Sequence, residues 1–306
     1  MAEVDILMST FNGERFLKEQ LISIAAQSCG DWNLIVRDDA SSDQTVNILN
    51  DFSKSLPKGK ITIHRASENI GPAASYTELL TYSSSPYIMF ADQDDVWLPE
   101  KILTLKNAMS SLEKQYGENT PLAVFSDMKV VDDNLHVLGT SFFDYNKLPV
   151  SLQNLSQIFF INNIPACSML VNRALVDFAM PFPKESIMHD WWLNLCVNVS
   201  GESIFVPQPL FLYRLHSQNF YGTGQSRLKK YWQIKKYRTN FNKMIRQLYA
   251  FEKKYGHLIQ NEKSKKAICQ LGNMDKYNFI RRKITVLKYV DIPGKKLRKL
   301  FLLLLV

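Results

Sequence analysis

The 306-residue chain predicts an α/β fold, a mostly parallel sheet with helices on both faces, followed by a basic α-helical region. Three observations carry that expectation. Through the first hundred residues, short apolar runs alternate with stretches whose apolar residues recur at helical spacing. Polar and acidic clusters follow three of those runs directly, as they do where a ligand lies across the C-terminal strand ends of an open sheet. Charge is divided as well: residues 1–224 hold 15 Lys+Arg against 25 Asp+Glu, and residues 225–306 hold 22 against 4. An acidic body and a basic tail suit different partners.

The elements follow in order. Residues 4–8 are an apolar strand leading into the turn Ser9-Thr10-Phe11-Asn12-Gly13, after which Phe16, Leu17, Leu21, Ile24 and Ala25 mark a helix. Residues 32–36 form a second strand that ends in Arg37-Asp38-Asp39-Ala40-Ser41-Ser42-Asp43. Ser42 or Asp43 can cap the next helix, which carries Val46, Leu49 and Phe52. A third strand, 61–64, precedes the loop 68–73 and a further helix. The fourth strand, Pro86-Tyr87-Ile88-Met89-Phe90, delivers Ala91-Asp92-Gln93-Asp94-Asp95-Val96-Trp97 at its C-terminal end.

Clustered carboxylates repel one another, so gathering them is favourable chiefly when a cation joins them. Hard divalent metals take oxygen ligands and commonly bridge a carboxylate to phosphates. Taken alone, Asp92-Gln93-Asp94 fits either a metal–diphosphate site or a solvated acidic turn.

Composition excludes several classes. A hydrophobic content of 46% with 12% aromatics supports a packed core. Cys29, Cys167, Cys196 and Cys269 show no C-x-x-C spacing and read as reduced, mostly buried thiols of a cytosolic protein. The N-terminus enters a strand without a basic and then apolar leader, which is not the pattern of a signal peptide. No G-x-x-x-x-G-K-[ST] occurs, and no G-x-G-x-x-G follows the first strand, so a P-loop NTPase and a dinucleotide dehydrogenase are disfavoured.

Residues 9–13, 37–43, Asn69-Ile70-Gly71 and 92–95 together resemble the family 2 inverting glycosyltransferases of GT-A fold. The similarity continues through Ile164-Pro165-Ala166-Cys167-Ser168-Met169, Met188-His189-Asp190-Trp191-Trp192 and Tyr213-Arg214-Leu215-His216-Ser217-Gln218-Asn219. These later segments are most similar to the bacterial rhamnosyltransferase-type branch. The resemblance implies a GT-A catalytic domain over residues 1–224, with a nucleotide-sugar half of about 1–98 and an acceptor half of about 99–224.

It also implies roles. Ser9 and Asp39 fall at the nucleotide base, where a carboxylate can accept N3–H of uracil or thymine but finds no such proton on cytosine. Thr10, Phe11, Gln93 and Arg214 join them in the nucleotide-sugar pocket, and Asp92 meets the ribose. Asp94 binds Mn2+ or Mg2+; His216 joins it, or with Arg214 touches the diphosphate, and a ligating imidazole favours manganese. Asp95 either belongs to this group or caps the following helix. Asp190 is the base for the acceptor hydroxyl. Trp191 and Trp192 offer a wall to a sugar ring or belong to the core, and His189 is a structural neighbour.

The implied activity is single-step, inverting transfer of a sugar, first of all L-rhamnose from dTDP-L-rhamnose, onto a lipid-linked saccharide for bacterial cell-surface polysaccharide. A UDP-hexose or UDP-N-acetylhexosamine donor is the alternative, and a catalytically silent nucleotide-sugar-binding partner subunit is the alternative of another class. The Q-x-x-R-W motif of processive synthases is absent.

In the tail, Arg227, Lys229, Lys230, Lys235, Lys236 and Arg238 interleave with Leu228, Tyr231, Trp232, Ile234 and Tyr237. Apolar residues continue at helical spacing through Phe251, and the chain closes on Lys295-Lys296-Leu297-Arg298-Lys299 and seven apolar residues. Seven are too few for a bilayer core that needs about 20. Basic amphipathic helices suit an anionic membrane surface, here the inner face of the cell membrane as a peripheral site; a solvated bundle packed on the catalytic domain is the other reading. No nucleic-acid motif accompanies the charge.

Overall fold

The computed structural model describes residues 2–150, 155–216 and 230–290, with side chains in the last stretch from 237 onward. The elements run β1 (Val4–Thr10), α1 (Leu17–Ala25), β2 (Trp32–Asp38), α2 (Thr45–Lys54), β3 (Ile61–Arg65), α3 (Pro72–Tyr82), β4 (Tyr87–Ala91), β5 (Val96–Trp97), α4 (Lys101–Tyr116) and β6 (Leu122–Val131). Then come β7 (Val137–Gly139), α5 (Phe142–Asn146), α6 (Leu155–Ile158), β8 (Met169–Asn172), α7 (Arg173–Ala179), α8 (His189–Ser200), β9 (Glu202–Arg214), α9 (Lys230–Tyr255), α10 (Glu262–Gly272) and α11 (Phe279–Tyr289).

Among the described residues the strands form one sheet in the order β3-β2-β1-β4-β8-β6-β9-β5, with β7 beside β6. The first four strands are mutually parallel, as the strand–helix alternation predicts. They read as near-continuous apolar runs because both faces are covered, and β1 is buried at six of its seven positions. The sheet is mixed beyond β4. β8 lies antiparallel between β4 and β6, because it enters from the end at which β4 finishes. The 3₁₀ turn Ala166–Ser168 that leads into β8 is thereby set beside the C-terminal end of β4.

Two cores result. One lies under α1, α2 and α4 and contains Leu17, Leu21, Leu49, Ile102 and Leu105. The other lies on the opposite face and gathers Tyr76, Leu79, Trp192, Leu193 and residues of the C-terminal helices. Phe241, Ile245, Leu248 and Phe251 of α9 are all buried in it. Phe251 meets the rings of Phe159 at 5.3 Å and Trp192 at 5.5 Å. The described helices of the basic region therefore complete the core instead of hanging from it. Phe251→Ala should accordingly cost about 3–5 kcal/mol, read from urea unfolding of the whole protein. The basic runs at 227–229 and 295–299 and the terminal apolar stretch 300–306 lie outside the described residues.

Candidate active site

The loops after β1 and β2 are tied to each other first. Asn12 N donates to Ser41 Oγ at 2.9 Å, Gly13 N to Thr45 Oγ1 at 2.8 Å and Ser42 N to Asn12 Oδ1 at 2.9 Å. Asp43 Oδ1 accepts from Thr45 N at 2.9 Å just before α2, whose N-cap position is Gln44 and not Ser42 or Asp43. Asn12 and Ala40 hold left-handed backbone, with φ of 46° and 65°, a strain that is concentrated at ligand-facing turns.

Asp39 is buried at the end of β2, two residues after Arg37 and therefore on the same side of the extended chain. The two form an ion pair, while Ile70 N and Gly71 N donate to Asp39 at 3.1 and 2.8 Å. Arg37 also donates from Nε to Glu78 at 2.9 Å. Ser9 Oγ sits 2.6 Å from Ser75 Oγ in the same region. A cleft of about 560 Å³ opens beside Arg37, bordered by His64, Arg65, Ser67, Ile70 and Tyr82.

Three of the expected pocket residues turn out to shape the site instead of facing a ligand with their side chains. Thr10 is fully buried and donates to Asp38 Oδ1 at 3.0 Å. The Gln93 amide accepts from Phe11 N at 2.9 Å and donates to Phe11 O at 3.1 Å, clasping the β1 loop to the acidic loop. The Phe11 ring itself is 44% exposed. Arg214 is the clear correction. Its guanidinium is 1% exposed and bonds the Asp94 and Asp133 carbonyls and the Glu19 carboxylate, so it braces the acidic loop from behind.

The acidic loop brings its carboxylates into two settings. Asp94 Oδ2 lies 2.7 Å from His216 Nε2, across a gap of more than a hundred residues in sequence. Phe16 backs the imidazole at 4.9 Å. One carboxylate beside one imidazole is a donor set that fits Mn2+ better than Mg2+. Asp92 and Asp95 point deeper, and with Cys167 they place three potential donor atoms within 4.8 Å of one another. Asp92 accepts from the Tyr76 hydroxyl at 3.2 Å, and burial together with Asp94 raises it to about 6.

Asp95 caps no helix. β5 follows it, α4 begins only at Lys101, and Asp95 Oδ1 accepts from Arg214 N at 3.3 Å. Its other oxygen is buried without a partner among the described residues, and burial holds this carboxyl well above the usual range.

Asp190 occupies the first turn of α8, where the helix dipole favours a negative charge. It accepts from Ala166 N at 3.2 Å and Trp191 N at 2.6 Å, yet burial raises it to about 6. His189 stacks on Tyr76 at 4.1 Å with neither ring nitrogen hydrogen-bonded among the described residues, and burial lowers it to about 3. It is a neutral packing residue, as expected. Trp192 is fully buried and bonds Ala179 O, which removes it as a sugar platform. Trp191 is half-buried, with Nε1 held by Ile158 O at 2.6 Å.

The segment 164–169, singled out in sequence only by its resemblance and without a role, joins these settings. Ala166 bonds Asp190, and the next residue, Cys167, faces Asp92 and Asp95. Lys101 donates to Cys167 O at 2.6 Å with its ammonium 3.8 Å above both the Trp97 and Phe211 rings. Burial lowers this lysine to about 7. In sequence it is an ordinary lysine at a helix start and carries no signal. Lys101→Met keeps the volume but leaves Cys167 O without its donor. We expect about 1–3 kcal/mol of lost stability in urea unfolding.

A parallel sheet end that gathers the buried Asp39, the Asp94–His216 pair and the buried Asp190 is an arrangement open to a nucleotide sugar and a cation. Residues 5–117 match the family described as glycosyl transferase family 2. That stretch is a family 2 glycosyltransferase segment, and the chain as a whole has the GT-A fold. It is 28% identical over 239 residues to the dTDP-rhamnosyl transferase RfbG of Shigella flexneri, covering 73% of this chain and 76% of that protein. It is 26% identical to the UDP-Glc:alpha-D-GlcNAc-diphosphoundecaprenol beta-1,3-glucosyltransferase WfgD of Escherichia coli, covering 76% and 84%. Among solved structures, TarS 1-349 of S. aureus in complex with UDP-GlcNAc aligns with a TM-score of 0.59 at 14% identity, over 94% of this chain and 81% of that one. The mannosyltransferase PcManGT of Pyrobaculum calidifontis in complex with GDP-Man and Mn2+ aligns with a TM-score of 0.57 at 16% identity, over 94% and 79%.

Proposed function

We propose that this glycosyltransferase moves L-rhamnose from dTDP-L-rhamnose, with inversion, onto a lipid-linked saccharide during synthesis of a cell-surface polysaccharide. The observation that carries the reaction type is Asp190, a buried carboxylate raised to about 6 and linked through Ala166 and Cys167 to the acidic loop. The similarity to RfbG supports the donor, and the diphosphoundecaprenol in the name of WfgD supports a lipid-linked acceptor. WfgD also supports a second reading of the donor, a UDP-hexose.

Asp190 takes the proton of the acceptor hydroxyl as that oxygen attacks the anomeric carbon from the face opposite the diphosphate. The new C–O bond forms as the bond to the diphosphate breaks, and the electron pair leaves with the diphosphate. A divalent cation held by Asp94 and His216 would neutralise the charge that develops there. Asp39 accepts N3–H of the base once Arg37 and the amides of residues 70 and 71 have fixed its orientation. Asp92 meets the ribose, and Phe11, with its ring exposed, joins the nucleotide-sugar pocket.

Catalysis at the inner face of the cell membrane follows from the acceptor; no helix of the described residues is long and apolar enough to cross a bilayer. A panel of nucleotide sugars, scored with manganese by thermal shift and donor hydrolysis, tests the reading. dTDP-L-rhamnose should give the largest response. A response to neither dTDP- nor UDP-sugars would overturn it.

A further inference from the structure

The last described helix turns an apolar ridge away from the protein. α11 buries Thr285, Val286 and Val290, and Arg282 is anchored to the carbonyls of Met274 and Tyr277, so the helix is fixed on the body in one rotation. On its outer side Ile280, Ile284 and Leu287 are 69%, 56% and 49% exposed. Their spacing of four and three residues aligns them in one stripe, and the exposed Phe279 lies on its flank beneath Lys283. Arg281 and Lys288 flank the stripe on one side and Lys283 on the other, and α11 contains no acidic residue.

A ridge of branched aliphatics left in water, framed only by cations, has the build of a helix that lies in a membrane interface. Long basic side chains reach from such a helix to phosphates while their stems cover apolar surface. We propose that α11 docks in the plane of an anionic phospholipid bilayer, with Ile280, Ile284 and Leu287 at the headgroup–acyl boundary. The chain that follows has matching chemistry: Lys295, Lys296, Arg298 and Lys299, then seven apolar residues, too few to cross a bilayer of about 20 residues. α11 packs on α10, α10 on α9 and α6, and α6 on α8, whose first turn carries Asp190. The docking face is thus built out from the helix that holds the acceptor base. That geometric connection rests on the proposed function; the docking itself does not.

Co-sedimentation of the full-length protein with vesicles tests it, using phosphatidylcholine alone or mixed with phosphatidylglycerol. Wild type should sediment with the anionic vesicles, less so as salt rises but without complete loss. The exposed-site variant Ile280→Asn/Ile284→Asn/Leu287→Asn should bind them more than about tenfold more weakly, with an unchanged circular dichroism spectrum. Arg281→Glu/Lys288→Glu should remove most of the preference for phosphatidylglycerol.

Unaltered sedimentation of the triple variant would overturn the proposal. Loss of all vesicle binding on deletion of residues 300–306 alone would also overturn it, by assigning the docking to that segment. So would a wild-type dimer that ignores vesicles and dissociates in the triple variant. Manganese-dependent nucleotide affinity, measured in parallel by calorimetry, separates failure of the docking face from failure of the donor assignment.

Discussion

Replacing Asp190 with Asn should lower sugar transfer by roughly 10²–10⁴-fold, the usual range for a lost general base, while donor affinity stays close to wild type. The amide has the shape of the carboxylate and can keep the bond from Ala166 N, but it cannot take the acceptor proton. The pH profile adds a second readout. Burial raises Asp190 to about 6, so the group is protonated and inactive as a base below that pH and competent above it. Turnover should therefore rise as pH passes upward through about 6, with Asp92 facing the same space and His189 neutral throughout. In the Asn variant that limb should disappear. A variant retaining a tenth of wild-type turnover, with the limb intact, would assign the base to another residue.

Asp94→Asn should abolish metal-dependent donor binding. The amide oxygen still occupies the position, but the charge that holds a divalent cation is gone, and His216 beside it contributes a neutral ligand at most. Calorimetry of nucleotide diphosphate with and without Mn2+ is the measurement. Wild type should show a large gain in affinity with the metal and the variant close to none, whereas Asp190→Asn should behave as wild type in this assay. An undiminished manganese effect in Asp94→Asn would move the cation to the deeper group of Asp92, Asp95 and Cys167. The contrast between the two variants separates donor capture from proton transfer.

Much of the site was legible because its residues are local to strand ends. Asp39 follows the apolar run of β2 and Asp92 and Asp94 follow β4, placed by periodicity and turn chemistry, whereas Asp190 at the start of α8 was singled out only by the resemblance. Arg214 shows the limit of such placement. It stands among residues resembling a diphosphate-binding segment, yet Asp94, Asp133 and Glu19 converge on it from three distant parts of the chain. Asp95 shows the same limit: a carboxylate before an apolar pair suggested a helix cap, and the pair became an edge strand against β9. Lys101 carried no signal at all, since a lysine at a helix start is normally solvated.

By itself the sequence determined the parallel half of the sheet, the identity of the carboxylates at its edge and the uneven distribution of charge. These depend on interactions between near neighbours: apolar spacing, turn residues and the mutual repulsion of adjacent acids. Only the tertiary structure decided that β8 enters antiparallel, that the 166–168 turn joins Asp190 to the acidic loop, and that His216 meets Asp94. It also decided that α9 fills the core while α11 leaves its ridge bare, although both look like basic amphipathic helices in sequence. Apolar periodicity says which face of a helix must avoid water. What covers that face depends on where long-range packing sets the helix, and no local pattern encodes it.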